Sequence, residues 1–530
     1  MGRLEIAVIV DDGRVPAYAL DALDALGGCE ELSVFSAVGV GRPGRGRASA
    51  LLGPRATARS VPVAQGRKRV VEVVEFAPVR DGAVDVLPPH VVDRLRDGGF
   101  SLALHLGRRA LRAPAGLPLP VLALHIGSPT RHRDSPVALR EMLRGDPVLT
   151  QGVEVLGSGH VVASAETKVH PHSYRATVAE AHRHVPLLLD RAVQQVGSGA
   201  LPAGDDVAGR PADAASVVDV ARLAVATARR RVRRLVYGAV VEKRWAVSTA
   251  PAPADPLTAL RDGTVLPDPG TWDTLRPPRG YVFYADPFFS SDPPGILVEA
   301  LRASTGRGEI VLVQDGQHRR VSPAGGHFSY PATVTLAGRE HVVPETASWA
   351  GPSAYVLADG ELTAPVTLDL RPDARLLDPT LVEHGGHVYL FGNLERVGNG
   401  ALFLWVADSL TAPFRPHPAS PVLVSPRGAR MAGGLVRSGE TLLRFGQDFS
   451  SGYGDGLFAF SVDRLTPTAY RERRIGEVRF PDRKGPHTLN ISGDRLVFDW
   501  YRDAFAPLAG VRRVLALTGR RPDPHIGPSL

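Results

Sequence analysis

The sequence predicts an α/β domain followed by an all-β five-bladed propeller. Strand-like and helical stretches alternate up to about residue 196, helical periodicity stops near Trp245, and one hairpin unit then recurs five times. The expected divisions are 1–196 for the α/β domain, 197–244 for a linker and basic helix, 245–517 for the propeller, and 518–530 for a tail.

At 530 residues the chain exceeds one ordinary core and calls for two or three domains. Its 56 glycines and 46 prolines favour short strands and frequent turns. The net charge of +7 reads as a soluble surface, because no basic stripe interleaved with aromatics is visible. No nucleic-acid partner is expected. The single cysteine, Cys29, excludes an intrachain disulfide framework. The opening run Leu4–Val10 ends in Asp11-Asp12 and reads as a buried strand, not a signal peptide. With no apolar run of about 18 residues, a cytoplasmic location is expected.

In the first half, a strand at 4–10 is followed by a helix from Val15 to Leu26 and a strand at Val34–Val38. Residues 40–69 read as a long Gly/Arg-rich loop. The pattern resumes with Val70–Phe76, a helix near Pro89–Gly98, and strands at Leu102–Leu106 and Val121–His125. Residues 197–213 read as a linker, and Ala214–Tyr237 as a helix with an apolar stripe at Val217, Val220, Leu223, Val225 and Ala228. Arg229–Arg231, Arg233 and Arg234 crowd the expected last turns, where cations complement the helix dipole. Membrane association is not expected.

The recurring unit is a hairpin with a Gly-containing turn. Its copies run Asp286–Glu299, Tyr330–Glu345, Asp378–Asn393, Ala432–Asp448 and Pro486–Asp499. A third strand is expected after each, at Glu309–Gln314, Ala354–Leu357, Leu402–Ala407, Leu457–Val462 and Arg513–Leu517. In an antiparallel hairpin the first residue of one strand lies beside the last of the other. Asp286 and Asp378 start first strands; Glu299, Glu345, Asp448 and Asp499 end second strands. Arranged about one axis, these acids converge on one mouth. Arg430, Arg444 and Arg502 are candidates to offset their repulsion. Such clusters serve acid/base chemistry, or else their members cap backbone N–H groups between blades.

The stretch Val121 to about Val196 resembles the formyltransferase fold of methionyl-tRNA formyltransferases. The match rests on Leu122-Ala123-Leu124-His125 running into Ser128-Pro129, then Gly145-Asp146, Gly152–Val155 and Leu156–Gly159. The family's oxyanion-holding Asn falls on Ala123 and its orienting Asp on Gly157, leaving His125 alone. The resemblance therefore implies a degenerate, inactive site, and folate is not expected.

The Asp286-Pro287 and Asp378-Pro379 strand starts resemble the five-bladed glycoside hydrolases of the arabinanase and β-xylosidase clan. That resemblance implies an inverting reaction with acid and base ~6.5–9.5 Å apart. Asp286 would be the base, Asp378 the tuning carboxylate and Glu345 the acid. Gly485-Pro486-His487-Thr488 resembles a segment whose His faces an axial, calcium-like metal ion. Ala285–Phe288, His327–Pro331, Pro344-Glu345, Leu377–Thr380 and His487–Leu489 are also similar to the N-terminal domain of plant glucosamine inositolphosphorylceramide transferases. Bacterial relatives are similar in fusing such a propeller to a formyltransferase-like domain.

The expected activity is cleavage or rearrangement of a glycosidic bond in a glycoconjugate or sugar-bearing metabolite. Glu299, His327, Tyr330, Asn393, Arg430, Gln447, Asp448 and Asp499 are the expected substrate-binding residues. A non-catalytic glycan-binding scaffold, or formyl or acyl transfer to a sugar amine by the first domain, are the alternatives.

Overall fold

The computed structural model describes residues 4–38, 60–81, 84–107, 110–112, 116–127, 136–158, 160–197, 215–346 and 351–517. These form two compact units, Met1–Val232 and Arg233–Leu530. Ser128, Pro129, Gly159, most of the expected linker, much of the 40–69 loop and the 518–530 tail lie outside the described residues.

The first unit is built on one mixed sheet. Apolar strands Ile6–Asp11, Glu31–Ala37, Arg69–Phe76, Leu102–His105 and Val121–Ile126 pair in parallel. Across the sheet their order is Arg69–Phe76, Glu31–Ala37, Ile6–Asp11, Leu102–His105, Val121–Ile126. Antiparallel strands Val148–Val155 and Val161–Lys168 extend the Val121–Ile126 side. The central Ile6–Asp11 strand is buried almost throughout, which explains its uninterrupted apolar run. Helix Ala17–Ala25 is shorter than expected, because Arg14–Pro16 pairs as a short strand with Ser60–Pro62. Residues 60–62 thus belong to the sheet and not to a loop.

The basic helix runs Val217–Val240, three residues beyond the expected end. Arg229–Arg234 therefore lie before its last turn, which carries no basic residue, so the helix dipole does not account for them.

Among the described residues, the second unit contains five antiparallel sheets, with the helices Pro256–Arg261 and Ala509–Leu517 beside them. The first contains Tyr281–Ser291, Pro294–Arg302, Gly308–Gln314 and Gln317–Arg320. The second contains Ser329–Leu336, Arg339–Glu345, Ser353–Ala358 and Glu361–Thr367. The third is centred on Leu376–His384, His387–Leu394 and Ala401–Ala407. The fourth is centred on Arg427–Met431, Thr441–Asp448, Leu457–Thr466 and Ala469–Val478. Tight turns join the hairpins: Ala337-Gly338 and Gly385-Gly386 have positive φ at both positions, the geometry that matches strand twist.

The fifth sheet departs from the sequence expectation. Arg513–Leu517 is not a third strand but part of helix Ala509–Leu517. The place is taken by Val241–Pro251, which pairs with Arg495–Phe505 from Val241↔Phe505 to Pro251↔Arg495. The fifth sheet is thus assembled from both ends of the unit, with Leu489–Ser492 and Asp273–Leu275 on its flanks.

The leading strands of successive sheets are neighbours. Ser329–Leu336 touches both Tyr281–Ser291 and Leu376–His384, and the latter touches Arg427–Met431. Leu489–Ser492 touches Tyr281–Ser291, and Leu489 N–H donates to the Ala432 carbonyl at 2.9 Å. Apolar side chains fill the gaps between sheets: Phe288, Tyr330, Tyr389, Phe391, Leu402 and Met431 share one cluster. Each such side chain contributes about 1.5–3 kcal/mol on burial.

Candidate acid–base site of the second unit

The site begins with a backbone irregularity repeated in the leading strands. Register shifts fall between Ala285 and Phe288, Ser329 and Ala332, and Leu377 and Thr380. Inside them Asp286, Tyr330 and Asp378 adopt left-handed φ values of 47°, 46° and 46°. A non-glycine residue there costs about 1–2 kcal/mol, and a bulge re-aims the side chain it carries. Asp286 therefore sits inside the Tyr281–Ser291 strand and does not start it.

Two acids from preceding sheets hold these bulges. The Asp378 N–H donates to Glu345 Oε2 at 2.9 Å, and the Asp286 N–H donates to Asp499 Oδ2 at 3.1 Å. Glu345 closes the second strand of its hairpin, whereas Asp499 lies inside the Arg495–Phe505 strand and does not end it, contrary to the sequence expectation.

From the kinks, two connected clusters extend inward. In one, Asp286 Oδ1 accepts from Thr488 Oγ1 at 2.6 Å and lies 3.1 Å from His487 Nδ1. Asp499 Oδ1 accepts the N–H groups of His487 and Thr488 at 2.8 and 2.7 Å. In the other, Arg430 binds Asp378 through Nε and Nη2, reaches Glu345 Oε2 at 3.4 Å, and donates to Asn399 Oδ1 at 2.9 Å. Gln447 Nε2 donates to Asp378 Oδ2 at 2.8 Å. Glu299 joins the clusters, since its charge is opposed by both Asp286 and Glu345. Asp286, Glu345 and Asp378 are 5%, 5% and 2% exposed.

Burial differentiates the groups. It drives the Glu345 carboxyl up to about 8, against the pull of Arg430 and with the push of Asp378. It likewise drives Glu299 well above the carboxylate range, with Asp286 adding to the effect. For His487, burial alone would favour the neutral ring, but Asp286 and Asp499 override it and raise the imidazole to about 10. At neutral pH the site thus favours a protonated Glu345 and an imidazolium at His487.

A metal ion fits this set poorly. Asp286, His487 and Asp499 place ligand atoms within 4.8 Å of one another. The His487 Nδ1 atom, however, faces both carboxylates as a proton donor and so is not available as a ligand to an ion held between them. A calcium-like ion seeks an all-oxygen shell.

Other expected residues have different partners. Asp448 accepts the Ser450 N–H and pairs with Arg479. Asn393 donates to the carbonyls of Ala401 and Ala429, and His327 Nδ1 accepts the Gly308 N–H. Tyr330 bonds to both backbone groups of Gly433 and packs edge-on against Phe288. Of the three arginines expected to offset the acids, only Arg430 meets Asp378 and Glu345. Arg444 pairs with Glu472, and Arg502 lies 3.6 Å from Asp482.

Sequence reasoning missed Thr488, whose hydroxyl holds Asp286, and an aromatic group beside His487. The Tyr453 ring lies 4.7 Å from that imidazole and Trp245 lies 5.4 Å from it, while Lys243 Nζ stands 4.2 Å over Tyr501. The available signal was a lone tyrosine in the Gly-rich run Ser450–Gly456.

In the first unit, His125 is not alone. Its Nε2 lies 2.7 Å from Glu154 Oε1 on the neighbouring antiparallel strand. A carboxylate therefore stands beside His125, contrary to the expectation of a histidine alone, although the pair does not meet hydrogen-bond geometry.

The N-terminal family of glucosamine inositolphosphorylceramide transferase 1 matches residues 323–495. That span includes Glu345, Asp378, Arg430, Gln447 and His487, while Asp286, Glu299 and Asp499 lie outside it. Glucosamine inositolphosphorylceramide transferase 1 of Oryza sativa subsp. japonica is 27% identical over 205 residues, covering 36% of this chain and 27% of the rice protein. The subsp. indica protein matches with the same identity and coverage. The chain therefore matches about a quarter of the length of these curated relatives. Among solved structures, the α-L-arabinofuranosidase PaAbf62A of Podospora anserina has a TM-score of 0.31 at 12% identity, covering 43% of this chain and 93% of that one. The Coprinopsis cinerea GH62 α-L-arabinofuranosidase has a TM-score of 0.30 at 15% identity, covering 41% and 90%.

Proposed function

We propose that the second unit is a five-bladed β-propeller and that this protein acts on a glycosidic bond of a glycoconjugate at its buried acid network. The observation that carries the reading is the pairing of unlike carboxyl groups from adjacent sheets. Glu345 is held protonated, while Asp286 accepts hydrogen bonds from Thr488 and His487. Glu345 Oε2 is occupied by the Asp378 N–H and Arg430, which leaves Oε1 to carry the proton.

In this reading Glu345 protonates the departing glycosidic oxygen as the bond from the anomeric carbon to that oxygen breaks. Asp286 takes a proton from the water whose oxygen forms the new bond to that carbon. Asp378 anchors Arg430 beside Glu345, and the Tyr453 and Trp245 rings offer apolar faces to a sugar. The similarity to glucosamine inositolphosphorylceramide transferase 1 supports a sugar-bearing substrate. The test is hydrolysis of a panel of aryl glycosides and glycans by wild type, Asp286→Ala and Glu345→Gln. Turnover that both substitutions abolish supports the reading; equal rates in all three proteins refute it.

A second reading is favoured by the bonds that Glu345 and Asp499 make to backbone N–H groups, since those bonds are structural. There the network only shapes a glycan-binding mouth, and the same panel gives binding without turnover.

We infer that the first unit is a formyltransferase-like α/β domain, from the resemblance at His125 and the antiparallel strands flanking its parallel sheet. The His125–Glu154 pair favours residual acyl transfer to a sugar amine. Folate-dependent transfer that disappears in both His125→Ala and Glu154→Ala would support that activity.

A further inference from the structure

We propose that the seam between the end of the basic helix and the C-terminal helix Ala509–Leu517 is a docking surface for an anionic lipid bilayer. Both elements lie in the second unit from Arg233 onward.

The seam is built, not accidental. Ala506 N–H donates to the Val240 carbonyl at 2.7 Å, and Arg513 donates to the carbonyls of Gly238 and Val241. The arginine thus satisfies backbone acceptors at a helix end, as a cation there should. Gly510 meets Ala239 so closely that an added Cβ would stand 3.0 Å from the Ala239 Cα.

Around this contact the unit exposes large apolar side chains. Phe505 is 76% exposed and Leu235 is 67% exposed, and Val236, Leu508, Val511 and Val514 are exposed with them. The helical members lie within about one turn of the Gly510–Ala239 contact, and Phe505 pairs with Val241 just beyond it. Exposed apolar side chains gathered in this way mark an interaction surface.

Charge selects the occupant. Arg233, Arg234, Arg512 and Arg513 lie on the two helices. The nearby acids Glu242 and Asp503 are engaged by Arg512 and by the Tyr237 hydroxyl. Apolar side chains bordered by arginines fit the boundary between acyl chains and anionic headgroups. A second copy of the chain would set arginines against their symmetry mates. The 518–530 segment offers only Ile526 and Leu530 as large apolar residues and adds Arg520 and Arg521. Among the described residues no helix is long and apolar enough to cross a membrane, so the surface would lie on the bilayer.

The test mixes the full-length protein with vesicles of phosphatidylcholine alone, or of phosphatidylcholine and phosphatidylserine, and sediments them. Wild type should co-sediment with the anionic vesicles, less so at high salt. The double variant Phe505→Ser/Leu508→Ser should lose about tenfold or more in apparent affinity while keeping its circular dichroism and thermal midpoint. Arg233→Glu/Arg234→Glu should give the same loss without removing any apolar side chain. Absence of binding to anionic vesicles would overturn the proposal. So would undiminished binding by either double variant, or a wild-type dimer that the apolar double variant dissolves.

Discussion

Glu345 and Asp378 belong to adjacent sheets, yet the carboxylate of one accepts the backbone N–H of the other at 2.9 Å. That bond separates two roles of Glu345. A glutamine keeps the acceptor oxygen but cannot deliver a proton. Glu345→Gln should therefore fold with a thermal midpoint close to wild type and lose about 10²-fold or more in glycoside turnover. Glu345→Ala removes the acceptor as well and should lose about 1–3 kcal/mol in urea titration. If glutamine and alanine destabilise equally, the bond to Asp378 is not what Glu345 provides.

Stability should fall as pH rises. The Glu345 carboxyl moves from 4.5 to about 8 on folding, and the His487 imidazole from 6.5 to about 10. Both are raised, so the folded state binds protons more tightly than the unfolded one. The Glu345 contribution is complete below its unfolded value of 4.5 and is lost as pH rises through about 8. The His487 contribution is complete below 6.5 and is lost through about 10. Thermal midpoints measured across this range should decline, and Glu345→Gln should flatten the lower part of the decline. A midpoint that rises with pH would contradict the assigned protonation states.

Among the described residues Arg430 is the one guanidinium that joins Glu345 and Asp378. Arg430→Met leaves the carboxyl groups without their buried counter-charge and should cost about 3–5 kcal/mol in denaturant titration. Arg502→Met, at an exposed arginine beside Asp482, should change stability by less than about 1 kcal/mol.

Gly433 has φ of +132°, and a Cβ there would stand 2.2 Å from the Leu489 carbonyl oxygen. Gly433→Ala should disturb the approach of the fourth and fifth sheets and destabilise by about 1–3 kcal/mol or more. Unchanged urea midpoints would show that the close approach is relaxed in solution.

The hairpins were legible because alternating apolar residues and Gly-containing turns are local signals. The strand completing the fifth sheet was not. Val241–Pro251 precedes its partner by some two hundred and fifty residues, and nothing local marks it as the mate of Arg495–Phe505. With that strand absent from the local pattern, Arg513–Leu517 is the apolar run near the end of the fifth copy that spacing offers as a third strand. Glu345 and Asp448 are legible as strand ends, but the partners of the acids are not. Whether Asp448 meets Asp378 or Arg479 depends on side-chain direction across sheets, which spacing does not encode. Glu154 was hidden for the same reason, since its link to His125 crosses an antiparallel pair whose register is set by tertiary contact.

The two-ended fifth sheet also governs how the chain is made. During synthesis Val241–Pro251 leaves the ribosome long before Arg495–Phe505 exists, and it must wait with its backbone unpaired on that side. Closing so long a span costs only slightly more entropy than closing half of it, because the penalty grows with the logarithm of length. The hazard is kinetic: a nascent chain stalled before residue 495 exposes a strand edge to any neighbouring polypeptide.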